Sequence, residues 1–231
     1  MFFSKIRLRE DISSRDALSL TKGNGYNVHR LVWDFFADIP ERRRDFLYRH
    51  EMIDGAPTFY VVSERQPADA TGMWELLAKE YRPKLVAGQP LSFTLRVNPI
   101  CAKRDASGRQ HRHDVVMETK SRIGFKKLPH DKRPHMASLI QEAGVTWLKD
   151  REKNYGFFME DNKEKPPVRA DGYIQHKLYN GKGGKLISFS TLDFKGVLVV
   201  TDPEKFIEES LYKGIGPAKG FGCGLMLVRR I

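Results

Sequence analysis

Gly214-Ile215-Gly216-Pro217-Ala218-Lys219-Gly220-Phe221-Gly222-Cys223-Gly224 runs into Leu225-Met226-Leu227-Val228 near the end of the sequence. The apolar run reads as a short buried strand, and the eleven residues before it hold five glycines. Glycine reaches positive φ and has no side chain to hold a neighbour away, so another backbone or a bulky partner can come close. Successive N–H groups in such a loop, with Lys219 among them, suit an anion. A plain turn has the same composition. What matters for the fold is what the strand closes. Asp202 as N-cap and Pro203 behind it open a helix through Lys213, and the loop carries the chain from that helix into the strand.

Working back from there, Gly172 to Leu178 and Lys185 to Phe189 flank Asn180-Gly181-Lys182-Gly183-Gly184. Asn-Gly between two alternating runs predicts a hairpin, and Phe194 to Val200 extends or follows its second arm. Met136, Leu139, Ile140, Ala143 and Trp147 mark an amphipathic helix. Leu91, Phe93, Leu95 and Val97 alternate with polar residues as a strand. Residues 101–135 between them form a basic insertion, with ten Lys or Arg against four acids. The order is β-α-β-β-α-β.

The first part repeats it. Phe3 to Arg9 reads as a strand, and apolar positions 28, 31, 32, 35, 36 and 39 form a helical stripe closed by Pro40. Residues 44–50 and 58–63 predict a hairpin around Asp54-Gly55-Ala56-Pro57. A short helix is expected over 66–80 and an edge strand over 82–86. Gly88-Gln89-Pro90 punctuates the chain. The fold class is therefore α+β, two tandem ferredoxin-like (RRM-like) βαββαβ domains over 1–88 and 89–231, alike in pattern and not in sequence.

Across 231 residues, 40 Lys and Arg face 29 Asp and Glu, a formal charge of +11. That excess points to nucleic acid, with an anionic membrane surface as the other choice. No apolar run approaches the roughly 20 residues of a membrane span, and no helix pairs a basic face with a bulky apolar one. The opening residues lack the pattern of a signal peptide, so a cytoplasmic location is expected. Cys101 and Cys223 read as reduced thiols. No metal-ligand spacing occurs, and neither metal nor other cofactor is expected. No triphosphate-binding motif is present.

One stretch carries chemistry: Gly25-Tyr26-Asn27-Val28-His29-Arg30. Three residues apart, Tyr26 and His29 share one side of a helical turn. Histidine moves protons near neutral pH, and Arg30 beside a helix N-terminus suits a phosphate. The same residues fit a surface histidine next to a basic neighbour. On the hairpin, His176, Lys177, Lys182 and Lys185 lie with aromatics, as a groove-gripping element or as a solvated one.

These residues resemble a family, the CasE repeat endoribonucleases of type I-E CRISPR systems. The resemblance runs through Phe3-Ser4-Lys5, Tyr26-x-x-His29-Arg30, Phe46-Leu47-Tyr48 and Leu95-Arg96-Val97-Asn98-Pro99. It continues through Thr146-Trp147-Leu148, Phe194-Lys195-Gly196 and the glycine loop. It implies a metal-independent enzyme that cuts CRISPR repeat RNA at the base of its hairpin. By the same resemblance, the 2′-OH attacks the adjacent phosphorus, leaving a 2′,3′-cyclic phosphate and a 5′-OH. The enzyme then keeps its product as a subunit of Cascade. His29 would be the general acid/base and Tyr26 its partner, with Arg30, His176, Lys177, Lys182 and Lys185 on the RNA. In the loop, Gly214, Gly216, Lys219, Gly220 and Gly222 would let backbone approach the RNA or the neighbouring domain, in a supporting role apart from the cleavage site. The alternative on the same fold is a non-catalytic RNA-binding assembly subunit.

Overall fold

This computed structural model describes residues 1–12, 25–36, 44–105, 107–160, 168–179 and 184–231, with Gly25 and Tyr26 by backbone alone. Strand β1 (Phe2–Leu8) buries Ser4, Ile6 and Leu8 on one face. Phe3, on the other face, meets the rings of Tyr60 and Tyr81. Both faces of this central strand are covered, which is why its alternation is imperfect in the sequence.

Helix α1 (Gly25–Asp34) turns Val32 into the first core, and Phe35 and Phe36 follow it there. The rest of that stripe, Ile39 with the closing Pro40, lies outside the described residues. Strands β2 (Phe46–Ile53) and β3 (Ala56–Ser63) pair as the expected hairpin. Its two-residue turn is Asp54-Gly55, both at positive φ (51° and 76°), the geometry that matches strand twist.

The next element corrects the sequence reading. Instead of a helix over 66–80 and a strand over 82–86, the chain makes one strand, β4 (Trp74–Glu80), antiparallel to β1 from Leu8↔Trp74 to Phe2↔Glu80. The segment Glu75-Leu76-Leu77-Ala78-Lys79-Glu80 is made of good helix formers. Pairing with the open edge of β1 overrides that local preference. The first sheet has the order β2-β3-β1-β4.

The second unit begins with β5 (Pro90–Val97), whose Leu91, Phe93, Leu95 and Val97 are all buried. Strands β6 (Ile100–Arg104) and β7 (Gln110–Asp114) form a separate hairpin, followed by α2 (Val115–Arg122), so the basic insertion is itself built of regular elements. Helix α3 (Met136–Lys149) packs Leu139, Ala143 and Trp147 of the expected stripe into the second core, together with Leu148, while Met136 of that stripe is exposed. Then come α4 (Glu152–Tyr155), β8 (Phe157–Phe158), β9 (Val168–Tyr179) and β10 (Leu186–Val200). Strands β9 and β10 form the second predicted hairpin, closing at Tyr179↔Leu186. Its Asn180-Gly181 turn, with Lys182, lies outside the described residues.

Asp202 caps α5 (Pro203–Lys205), accepting from the Lys205 N–H, and the coil continues as a π-helix over Phe206–Tyr212. A 3-10 turn (Lys219–Phe221) and β11 (Met226–Arg230) end the chain. The order is β11-β5-β10, with β9 on the far side of β10. Both sheets thus place the first and third strands of their unit at the centre, the ferredoxin-like arrangement.

The units meet at a small core of Leu47, Val62 and Leu225, flanked by Phe3, Tyr60, Tyr81 and Tyr212. There the Tyr212 hydroxyl donates to the Tyr81 carbonyl at 2.7 Å. Among the described residues no helix is long and apolar enough to cross a membrane.

Candidate active site

His29 stands in the first turns of α1, half-buried. Its Nδ1 lies 2.6 Å from the carbonyl oxygen of Gly220, in the glycine loop of the other unit. A carbonyl only accepts, so Nδ1 carries the proton and the lone pair of the neutral ring sits on Nε2. The Tyr48 hydroxyl from β2 donates to the same oxygen at 2.9 Å. Two donors from the first unit therefore converge on one acceptor from the second. The approach is close: a Cβ at 220 would lie 3.2 Å from the Arg44 guanidinium and 3.4 Å from the His29 ring.

The electrostatics favour a neutral ring. Burial holds the His29 pKa below its ordinary value, and the nearby Arg44 charge adds to this. The bond to Gly220 works in the opposite direction. Lys219 is lowered by burial and by Arg44. Burial raises the Tyr48 phenol, so it stays a donor. Arg44 brings a positive charge to the surroundings of His29, with Lys219 near Arg44, a setting for an anion.

An aromatic series ties this site to the second hairpin. Phe221 tilts over His29 with ring centres 5.6 Å apart and stacks on Phe189 at 4.9 Å. Phe189 stacks on His176 at 4.8 Å, and Nε2 of His176 lies 2.9 Å from the Thr191 hydroxyl. Trp33 meets His29 edge-on from within α1.

Of the residues singled out from sequence, His29 and Gly220 are in contact, and His176 is joined to them through two rings. Arg30 is exposed on α1, and Lys177 and Lys185 are exposed on the hairpin. The Tyr26 backbone lies one turn before His29; its side chain, like Lys182, is outside the described residues. The loop corrects an expectation. It does not stand apart from His29, because its own backbone holds the imidazole. Three of its glycines face protein: a Cβ at Gly214 would meet Leu47 at 2.6 Å, one at Gly216 Trp147 at 3.3 Å, and one at Gly222 Tyr48 at 3.3 Å. They let the loop wedge between the units.

Arg44, Tyr48, Phe189 and Phe221 were not singled out for the site from sequence. Tyr48 entered only within Phe46-Leu47-Tyr48 and Phe221 only within the glycine loop, and no motif marks Arg44 or Phe189. In the insertion, His111 faces Asp105 and His113 faces Glu118. Among the described residues no three His, Cys, Asp or Glu gather as metal ligands.

The family described as "CRISPR associated protein" matches residues 1–230. The CRISPR-associated endoribonuclease Cse3 of Thermus thermophilus is 30% identical over 216 residues, 89% of this chain and 90% of its own. The CRISPR system Cascade subunit CasE of Escherichia coli K12 is 29% identical over 204 residues, 87% and 89% of the two chains. The solved structure of the CRISPR endoribonuclease Cse3 bound to a 19 nt RNA superposes with a TM-score of 0.68 at 26% identity, covering 99% of this chain and 100% of that one. With the fold, the matched length and these relatives in agreement, the chain belongs to the CRISPR-associated protein family, in its CasE group.

Proposed function

We propose that this chain is an endoribonuclease that cuts CRISPR repeat RNA without a metal and stays on its product as a subunit of Cascade. The observation that carries the reading is the bond from His29 Nδ1 to the Gly220 carbonyl, which leaves Nε2 as the basic atom of a ring held neutral by burial and Arg44. Such a ring removes the proton from the 2′-OH beside the scissile phosphate. The 2′-oxygen attacks phosphorus, the P–O5′ bond breaks, and a proton is delivered to O5′. The products are a 2′,3′-cyclic phosphate and a 5′-OH. Tyr26, one turn before His29 on α1, is the residue whose hydroxyl serves the leaving oxygen. Arg30 and Arg44 supply positive charge to the phosphoryl oxygens as negative charge builds there. The relatives named as an endoribonuclease and as a Cascade subunit support the substrate and the assembly.

The test is cleavage of a repeat stem-loop RNA in excess EDTA by the wild type and by His29→Ala. The wild type is expected to cut, leaving cyclic-phosphate ends. The variant is expected to lose about 10²–10⁴-fold in rate, the usual weight of a general acid–base group, while still binding the RNA. Undiminished cutting by the variant, or a requirement for Mg²⁺, would overturn the mechanism. An RNA with a 2′-deoxy group at the cut site separates this enzyme from a pure RNA binder, since only the enzyme distinguishes it from the all-ribose RNA.

A further inference from the structure

Beside Phe221 lies an open cleft of about 480 Å³ that His29 does not itself line. Its walls come from three places: β6–β7 of the basic insertion, the β9–β10 hairpin, and the glycine loop. Phe189 and Phe221, stacked on each other, form an aromatic wall. Arg112 on β7 and Lys177 on β9 also line it; both are exposed, and neither is paired with an acid among the described residues. The lining acid, Asp114, is already engaged, taking bonds from the Ser190 hydroxyl and the Met117 N–H. Asn98, 6% exposed, is a further lining residue, and its Oδ1 accepts no hydrogen bond from the described residues.

An aromatic wall with unpaired cations is the composition that binds unpaired nucleic acid, the bases on the rings and the phosphates on the cations. The volume lies within the about 300–1,000 Å³ typical of small-ligand sites, room for a nucleotide and not for a duplex. We propose that this cleft takes one unpaired nucleotide next to the bond that His29 acts on, its base against Phe189 and Phe221 and its phosphate between Arg112 and Lys177. The idea rests on the endoribonuclease reading and gives the basic insertion a task. Arg112, from a segment outside the βαββαβ pattern, closes the cleft opposite the hairpin. A base seated there also meets the Asn98 amide, whose spare acceptor is matched by an amino or imino N–H of a base edge.

The experiment uses the full chain and repeat RNAs that carry a 2′-deoxy group at the cut site. One RNA ends at the scissile position; the other continues with unpaired nucleotides on its 3′ side, the first being 2-aminopurine. On the wild type, stacking is expected to quench the 2-aminopurine, and Phe189→Leu is expected to lose that quenching. Arg112→Gln and Lys177→Gln are each expected to raise Kd for the extended RNA and to lower its log Kd against log salt slope by about 1. The truncated RNA is expected to bind Arg112→Gln as it binds the wild type. A bright 2-aminopurine on the bound wild type, or an equal effect of Arg112→Gln on both RNAs, overturns the cleft proposal while leaving the endoribonuclease reading in place. A wild type that binds neither RNA overturns both.

Discussion

In the proposed mechanism the protonation of His29 decides when the site works. Burial first, and the Arg44 charge second, hold its pKa below the ordinary imidazole value of 6.5. The neutral ring, the form the proposal needs, is therefore the majority form at neutral pH. Single-turnover cleavage is expected to show an acid limb with its midpoint below 6.5, and Arg44→Gln is expected to move that midpoint upward, since one cause of the depression is gone. A pH–rate profile of the two proteins checks both statements. Tyr48 offers a second probe. Phe at this position fits the buried ring and deletes only the hydroxyl that donates to Gly220, so Tyr48→Phe is expected to cost about 1 kcal/mol in urea unfolding. Its cleavage is expected to slow without a change in RNA affinity, because the carbonyl that orients His29 loses its second anchor.

Among the elements, the glycine loop has little room. At Gly214, φ is 76°, and a Cβ would press on Leu47 at 2.6 Å and on the Gly224 carbonyl at 2.8 Å. Leu47 could move, but the backbone oxygen could not. Gly214→Ala is expected to destabilise the fold by at least about 2 kcal/mol, read as a lower urea midpoint. This loop also marks the limit of what sequence reveals. Its glycines and the strand behind it were legible, as were the α3 stripe, both hairpins and the Asp202 cap, because each is written in local residue types. Strand β4 was not, because Glu75 to Glu80 favour a helix locally and the edge of β1 decides otherwise. His29 was legible as a candidate, since its chemistry is in its side chain. Its partner was hidden, because the partner is a backbone oxygen 191 positions away and every residue has one. Phe221 reaches His29 only through the same long-range closure.

For the molecule as a whole, three partly buried histidines, His29, His50 and His176, have pKa values lowered chiefly by burial. Unfolding restores them to about 6.5, so below that pH the unfolded chain binds more protons than the folded one. Stability then falls as the pH drops. Urea unfolding is expected to show a lower midpoint near pH 5.5 than near pH 7.5, and replacing His50 by Gln is expected to shrink the difference. The meeting of two units on the Gly220 oxygen has one more consequence, for magnetic resonance. Free histidine prefers to carry its hydrogen on Nε2, and only docking of the second unit gives Nδ1 a reason to hold it. The imidazole ¹⁵N signals of His29 therefore act as a gauge of whether the two halves are seated, switching tautomer when they separate even while each half stays folded.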